Sequence, residues 1–212
     1  MNPVIEAIKG RRSVRSFLDK PVPRELIETI IDAGRWAPTG ANMQLWRFVV
    51  VEDAAFRARL LDAARPNYRR FVTTHWAACT DEWFREQIRH HGEHSFGWPV
   101  LQFDEAVARF ADLPDGVYFG APVVIFVIGT VASFGTQAAD CYMACQNMML
   151  AAHSLGLGTC IVGFGAHVTN DPGIVEALEL KEGERIFGPV VVGYPQIVPE
   201  APEKKLPLVK WI

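Results

Sequence analysis

The chain has 212 residues, 50% of them hydrophobic and 21% charged, which is enough apolar material for one filled core and excludes a disordered chain. Its net charge of −3 argues against a nucleic-acid partner, for which a basic domain is expected. No run of about 18 uncharged apolar residues stands out as a membrane span, and the N-terminus lacks a signal-peptide pattern, so a single cytoplasmic domain with no membrane contact is expected.

Val4, Ile5, Ala7 and Ile8 recur at helical spacing and predict a first helix over residues 3–9. It runs into Gly10-Arg11-Arg12-Ser13-Val14-Arg15, with three guanidinium groups and a hydroxyl within five residues. Arginine's planar fork of donors fits phosphate oxygens, so the cluster suits a phosphorylated cofactor. Taken alone, it reads more readily as a solvated basic patch at a helix end, since short basic runs are common on surfaces.

Pro21-Val22-Pro23 is a connector, and Pro23 suits the first turn of a second helix with Leu26, Ile27, Ile30 and Ile31 as its core stripe. Gly34 to Pro38 ends it. The small, polar stretch from Ala37 to Gln44 reads as a loop that can approach a ligand closely, or as an ordinary turn. Residues 48–51 predict a buried strand, and Asp53 caps a helix over about 53–64.

Residues 66–116 mix aromatics and charges without clear periodicity. They read as an insertion or lid with helical pieces near 80–91 and 102–111. Its aromatics suit stacking on a flat substrate. His90, His91 and His94 lack a third ligand of the right type nearby and read as a solvated cluster, not a zinc site.

Residues 122–128 predict a second strand, and about 137–155 a helix that is apolar nearly all round. Such a helix must be buried on every face, which points to a dimer interface. Cys141 and Cys145 lie one turn apart on it. With no C-x-x-C pair among Cys79, Cys141, Cys145 and Cys160, all four are expected as free thiols, the helical pair as small core residues. A strand over 159–162 follows, ending in Gly163-Phe164-Gly165. A short helix starts at Asn170 or Asp171 with Pro172, and residues 186–192 give another strand. From Gly193 a proline-rich tail reads as extended and in need of another surface.

There is no G-x-G-x-x-G after a strand, no Walker sequence, no H-E-x-x-H and no G-x-S-x-G. Arg11-Arg12-Ser13-Val14-Arg15-Ser16-Phe17, Pro21-Val22-Pro23, the run from Arg35 to Val50 and the run from Ala151 to Thr159 do form a pattern, however. In that order and spacing they resemble the nitroreductase-like FMN-dependent oxidoreductases, from the N-terminus through Gly193-Tyr194-Pro195. Only 66–116 falls outside the resemblance.

The resemblance implies an α+β fold with a central mixed β-sheet flanked by helices. It also implies an intertwined homodimer with an extended C-terminal tail and FMN at the subunit interface. Arg11, Arg12 and Ser13 match positions that bind the FMN phosphate and ribityl chain. Arg15 matches a basic position near the flavin pyrimidine edge. Pro38, Thr39, Gly40 and Asn42 match a loop that reaches the flavin of the partner subunit. Val162 and Gly163 match the strand end beside the isoalloxazine, where an N–H suits flavin N5. Lys205, with Lys204, matches a basic tail position that returns to the phosphate. The chain departs from the family at Leu45, where proline is common, and at Gly40, where serine is common.

The implied function is an NAD(P)H oxidoreductase in which NADH or NADPH reduces FMN and a small, flat aromatic acceptor, a nitroaromatic or quinone, follows in ping-pong order. Flavin N5 carries the chemistry, and no protein nucleophile is needed. Other readings are a flavin-fragmenting oxygenase, a reductive dehalogenase, or a flavin-binding protein without turnover.

Overall fold

The computed structural model describes residues 2–76, 78–96, 116–131, 137–201, 203–204 and 206–212. The helical piece expected near 102–111 and Lys205 lie outside the described residues.

Helix α1 spans Pro3–Gly10, with Pro3 in its first turn and Asn2 Oδ1 accepting the Val4 N–H at 2.9 Å. None of its residues is buried. Helix α2, Arg24–Arg35, buries Ile27, Ile30 and Gly34. Strand β1 is Trp46–Val51. Asp53 then caps α3, Ala54–Phe71, by accepting the Phe56 N–H at 2.7 Å. The sequence places the end of this helix before Pro66, but it continues through the proline. A proline inside a helix costs about 3 kcal/mol. Here Tyr68 and Val72, both beyond it, are buried in the core and hold the last turns in place. A π-helical turn, Val72–Trp76, leads on to α4, Glu82–Phe96.

Strand β2 is Val123–Thr130, α5 is Gln137–Ser154 and β3 is Gly158–Ile161. Helix α6, Pro172–Ala177, is capped by Asp171, and β4 is Glu184–Gly193. The strands form one sheet in the order β1-β2-β4-β3, with each ladder antiparallel. An isolated parallel bridge between Ser13 and Thr159 adds the parallel element of a mixed sheet.

Alternation along β2 divides the core. Val124, Phe126 and Ile128 face the layer of α3, α6 and Tyr118, while Val123, Ile125 and Val127 face α2 and α5. Gly34 lets α2 approach α5 closely, because a Cβ there would lie 2.7 Å from Met148 Cγ.

Helix α5 is apolar nearly all round, yet within one chain only one face is covered. Cys141, Ala144, Cys145, Met148 and Ala152 are buried, while Ala138, Ala139, Tyr142 and Met143 are exposed. The two edge strands also matter for the site. Segment 13–18 runs beside β3 and the start of the tail, with Val14 N–H donating to Thr159 O at 2.9 Å and Leu18 N–H to Tyr194 O at 2.9 Å. The 37–44 loop precedes β1 at the opposite edge.

Candidate functional site

The C-terminus of α1 delivers the basic cluster, and Val14, almost wholly buried, anchors it to the core. Gly158 permits this contact, since a Cβ there would stand 2.8 Å from Val14 side-chain carbons. Arg12 folds back on α1, its Nη1 donating to Lys9 O at 2.6 Å, Arg11 O at 2.9 Å and Gly10 O at 3.1 Å. It caps the last carbonyls, where a cation is favoured by the helix dipole. Arg15 Nη1 donates to Ser13 O at 3.3 Å. Arg11 is different: the residue is half-buried, and its buried Nε and Nη1 have no hydrogen-bond partner among the described residues.

A cavity of about 790 Å³ opens beside these residues. Arg11, Arg12, Ser13 and Arg15 form one wall. The tail returns over it with Glu200, Glu203 and Lys204, and α4 contributes Trp83 and Gln87. Lys204 thus lines the same cavity as the basic cluster within a single chain. Behind Ser13 and Arg15 sits Cys160, whose thiol donates to Ile161 O at 3.4 Å. Burial pushes this thiol up, against the opposing pull of the Arg15 charge and a Ser13 hydrogen bond.

The other expected site residues stand elsewhere. Among the described residues, Pro38, Thr39, Gly40, Asn42, Val162 and Gly163 do not line this cavity. The 37–44 loop is held by Gly40 N–H donating to Asp140 Oδ2 at 3.3 Å, and by Gln44 N–H donating to Thr39 Oγ1 at 3.2 Å. Ala41, Asn42 and Gln44 all take left-handed φ, at 50°, 55° and 50°. That conformation is uncommon for residues other than glycine and marks a constrained loop. With β1 and β3 at opposite edges, about 15 Å of sheet lies between the loop and the basic cluster.

Val162 is buried, and its N–H donates to Pro189 O at 2.9 Å. Gly163 opens a 3-10 turn, so its N–H has no acceptor within that turn, and a Cβ there would meet open space. The residues that sequence reasoning passed over are Lys9, Gln87, Glu200 and Glu203 in the cavity and Asp140 under the loop, whereas Trp83 belongs to the aromatics of 66–116 read as suited to stacking.

The Nitroreductase family model matches residues 8–194. The chain belongs to the nitroreductase family. A 4-nitrobenzoate reductase of Pseudomonas putida is 33% identical over 72% of this chain and 69% of its own length. An iodotyrosine deiodinase of Haliscomenobacter hydrossis is 29% identical over 87% of this chain and 76% of its own. Among solved structures, an FMN- and NADPH-dependent nitroreductase from sphigopyxis sp. strain HMH superposes with a TM-score of 0.76 at 26% identity, covering 99% of this chain and 98% of that one. No helix among the described residues is long and apolar enough to cross a membrane.

Proposed function

We propose that this nitroreductase-family chain is an FMN-dependent NAD(P)H oxidoreductase acting on flat, electron-poor acceptors such as nitroaromatics and quinones. The observation that carries the reading is half-buried Arg11, whose Nε and Nη1 are buried with no hydrogen-bond partner among the described residues. Buried donors without an acceptor are costly, so this side chain calls for an anion. Ser13, Arg15 and Lys204 share its cavity, and this set of donors fits a phosphate. Family membership and an FMN- and NADPH-dependent structural relative support the same cofactor.

The chemistry that FMN supplies when bound is acceptance of hydride from NADH or NADPH, then delivery of electrons to the acceptor in ping-pong order. The protein's part is binding and charge. Arg11, Ser13 and Lys204, joined by Lys205, hold the phosphate. Arg12 keeps the end of α1 in shape through its three backbone contacts. Arg15 provides a fixed positive charge for a ring that becomes negative on reduction. The Val162 N–H is already engaged, which leaves the Gly163 N–H as the donor for the ring edge.

Pro38, Thr39, Gly40 and Asn42 serve the cofactor of a second copy, so the working unit is a homodimer. Three features support this: the distance across the sheet, the exposed stripe on α5, and a tail whose Leu206, Leu208 and Trp211 stand in solvent. Reductive dehalogenation is the second reading, favoured by the 29% identity to an iodotyrosine deiodinase.

The test is an anaerobic visible spectrum of the purified protein, before and after NADH and NADPH. A flavin band that bleaches with either nucleotide is the expected result. A protein that neither carries nor takes up FMN ends this reading, and a flavin that neither nucleotide reduces turns it toward a carrier.

A further inference from the structure

Asp140 is the only buried carboxylate among the described residues, 7% exposed in the first turn of α5. The positive end of that helix favours a carboxylate there. Its side chain reaches out of the helix, where Oδ2 accepts the Gly40 N–H at 3.3 Å. The other hydrogen bonds of residues 39–44 among the described residues close inside the loop. Asn42 N–H donates to Thr39 O and Met43 N–H to Gly40 O, both at 3.1 Å, and Gln44 Nε2 donates to Asn42 Oδ1 at 3.0 Å. Asp140 is therefore the external anchor of a loop that runs through left-handed φ at Ala41, Asn42 and Gln44, a course such residues seldom take unaided. A carboxylate taken out of water for one backbone donor adds little stability, because desolvation offsets the bond. What it fixes is geometry. Pro38 and Asn42 stand exposed beside the anchor, and the same turn of α5 begins the exposed stripe of Ala138, Ala139, Tyr142 and Met143.

We infer that Asp140 is a positioning residue for the cofactor site of a second copy: its hold on Gly40 sets the course of residues 40–44 and so presents Thr39, Gly40 and Asn42 to the neighbouring FMN. The inference rests on the reading above, in which this loop serves the cofactor of a second copy, and adds the residue that keeps the loop in shape.

The experiment measures FMN affinity of the whole protein by flavin fluorescence, with thermal unfolding to confirm that each variant folds. Asp140→Ala is expected to weaken FMN binding about tenfold. Asp140→Leu, close in volume but without an acceptor, should bind as weakly and keeps the test open if Asp140→Ala does not fold. Asp140→Asn, whose amide oxygen still accepts the Gly40 N–H, should return most of the affinity. A mixed dimer then shows where the residue acts. One subunit carries Asp140→Leu, and the other carries Arg11→Ala with Arg15→Ala. Action across the interface leaves one site with both defects and one with neither, so half the sites should bind FMN with native affinity. Action within one subunit leaves two damaged sites and no native class, which overturns the inference. So does an Asp140→Leu protein that binds FMN as the native protein does, or an Asp140→Asn protein that binds as weakly as Asp140→Leu. The flavin reading fails separately: native protein that takes up no FMN, or an Arg11→Ala, Arg15→Ala dimer that binds it undiminished, removes the cofactor from this cavity and the inference with it.

Discussion

Replacing Arg11 with alanine separates a binding role from a structural one. A residue that holds a phosphate through charge-assisted bonds should weaken FMN affinity by about tenfold to a hundredfold when truncated. The same change removes two buried donors, Nε and Nη1, that have no partner among the described residues. The melting temperature of the cofactor-free protein should therefore hold or rise. Equilibrium dialysis and thermal unfolding of one variant test both halves, and loss of stability with FMN affinity intact would make Arg11 a packing residue. The thiols allow a second check. Cys141 and Cys145 are buried and pushed up to about 12, chiefly by burial, and Cys160 is buried as well. Only Cys79 is partly exposed. A disulfide reagent at pH 8 should modify Cys79 rapidly and the other three only after unfolding. The arginines were legible because three of one type in five residues form a local pattern. Asp140 was not, because Gly40, the group it holds, is 100 residues away along the chain. Lys9, Trp83 and Gln87 belong to the cavity only once α1, α4 and the tail meet, and no local spacing announces that meeting.

Among the elements, β1 and β4 are tied across β2 by a bidentate pair. Arg47 Nη2 donates to Glu184 Oε2 at 2.7 Å and Nε to Oε1 at 3.0 Å, and the Lys181 N–H also donates to Oε2 at 3.0 Å. The Arg47 hydrogen bonds hold the Glu184 carboxyl down at about 2, well below its ordinary 4.5. A carboxyl depressed in the folded state stabilises the fold above its unfolded value and loses that contribution as pH falls through the folded one. Stability should decline between about pH 5 and pH 2 by on the order of 2 kcal/mol from this group, after discounting for solvent. Glu184→Gln should be less stable at pH 7 and show a flatter acid limb in denaturant melts. Gly158 controls the contact between β3 and the basic segment. Gly158→Ala should cost about 1–3 kcal/mol by overpacking against Val14, and should weaken FMN binding because Ser13 is adjacent. Chain order and strand periodicity located every strand within a few residues. The reach of α3 past Pro66 was hidden, because the burial of Tyr68 and Val72 that sustains it is tertiary.

At the scale of the whole molecule, the unfinished surfaces are what a second copy would complete. Val4, Ile5 and Ile8 on α1, Tyr142 and Met143 on α5 and Leu208, Trp211 and Ile212 in the tail are apolar and exposed in the single chain. Large apolar groups in solvent on three separate elements are unusual for a monomer and suit an interface. The tail tests this most cleanly, because its end can be removed without touching the cavity. Deleting residues 207–212 leaves Glu200, Glu203 and Lys204 in place but removes Trp211, at 91% exposure, and Ile212, at 113%. Full burial of one such side chain against a partner contributes about 1.5–3 kcal/mol. Losing Leu208, Trp211 and Ile212 should therefore weaken dimer association by at least about a hundredfold in sedimentation equilibrium. FMN affinity should fall with it at low protein concentration and recover at high concentration if, as proposed, Pro38, Thr39, Gly40 and Asn42 reach the cofactor of a second copy. A truncated protein that stays dimeric would place the interface on α1 and α5 alone. A truncated monomer that binds FMN as tightly as the full chain would show that one subunit holds the cofactor unaided, and that the 37–44 loop has another task.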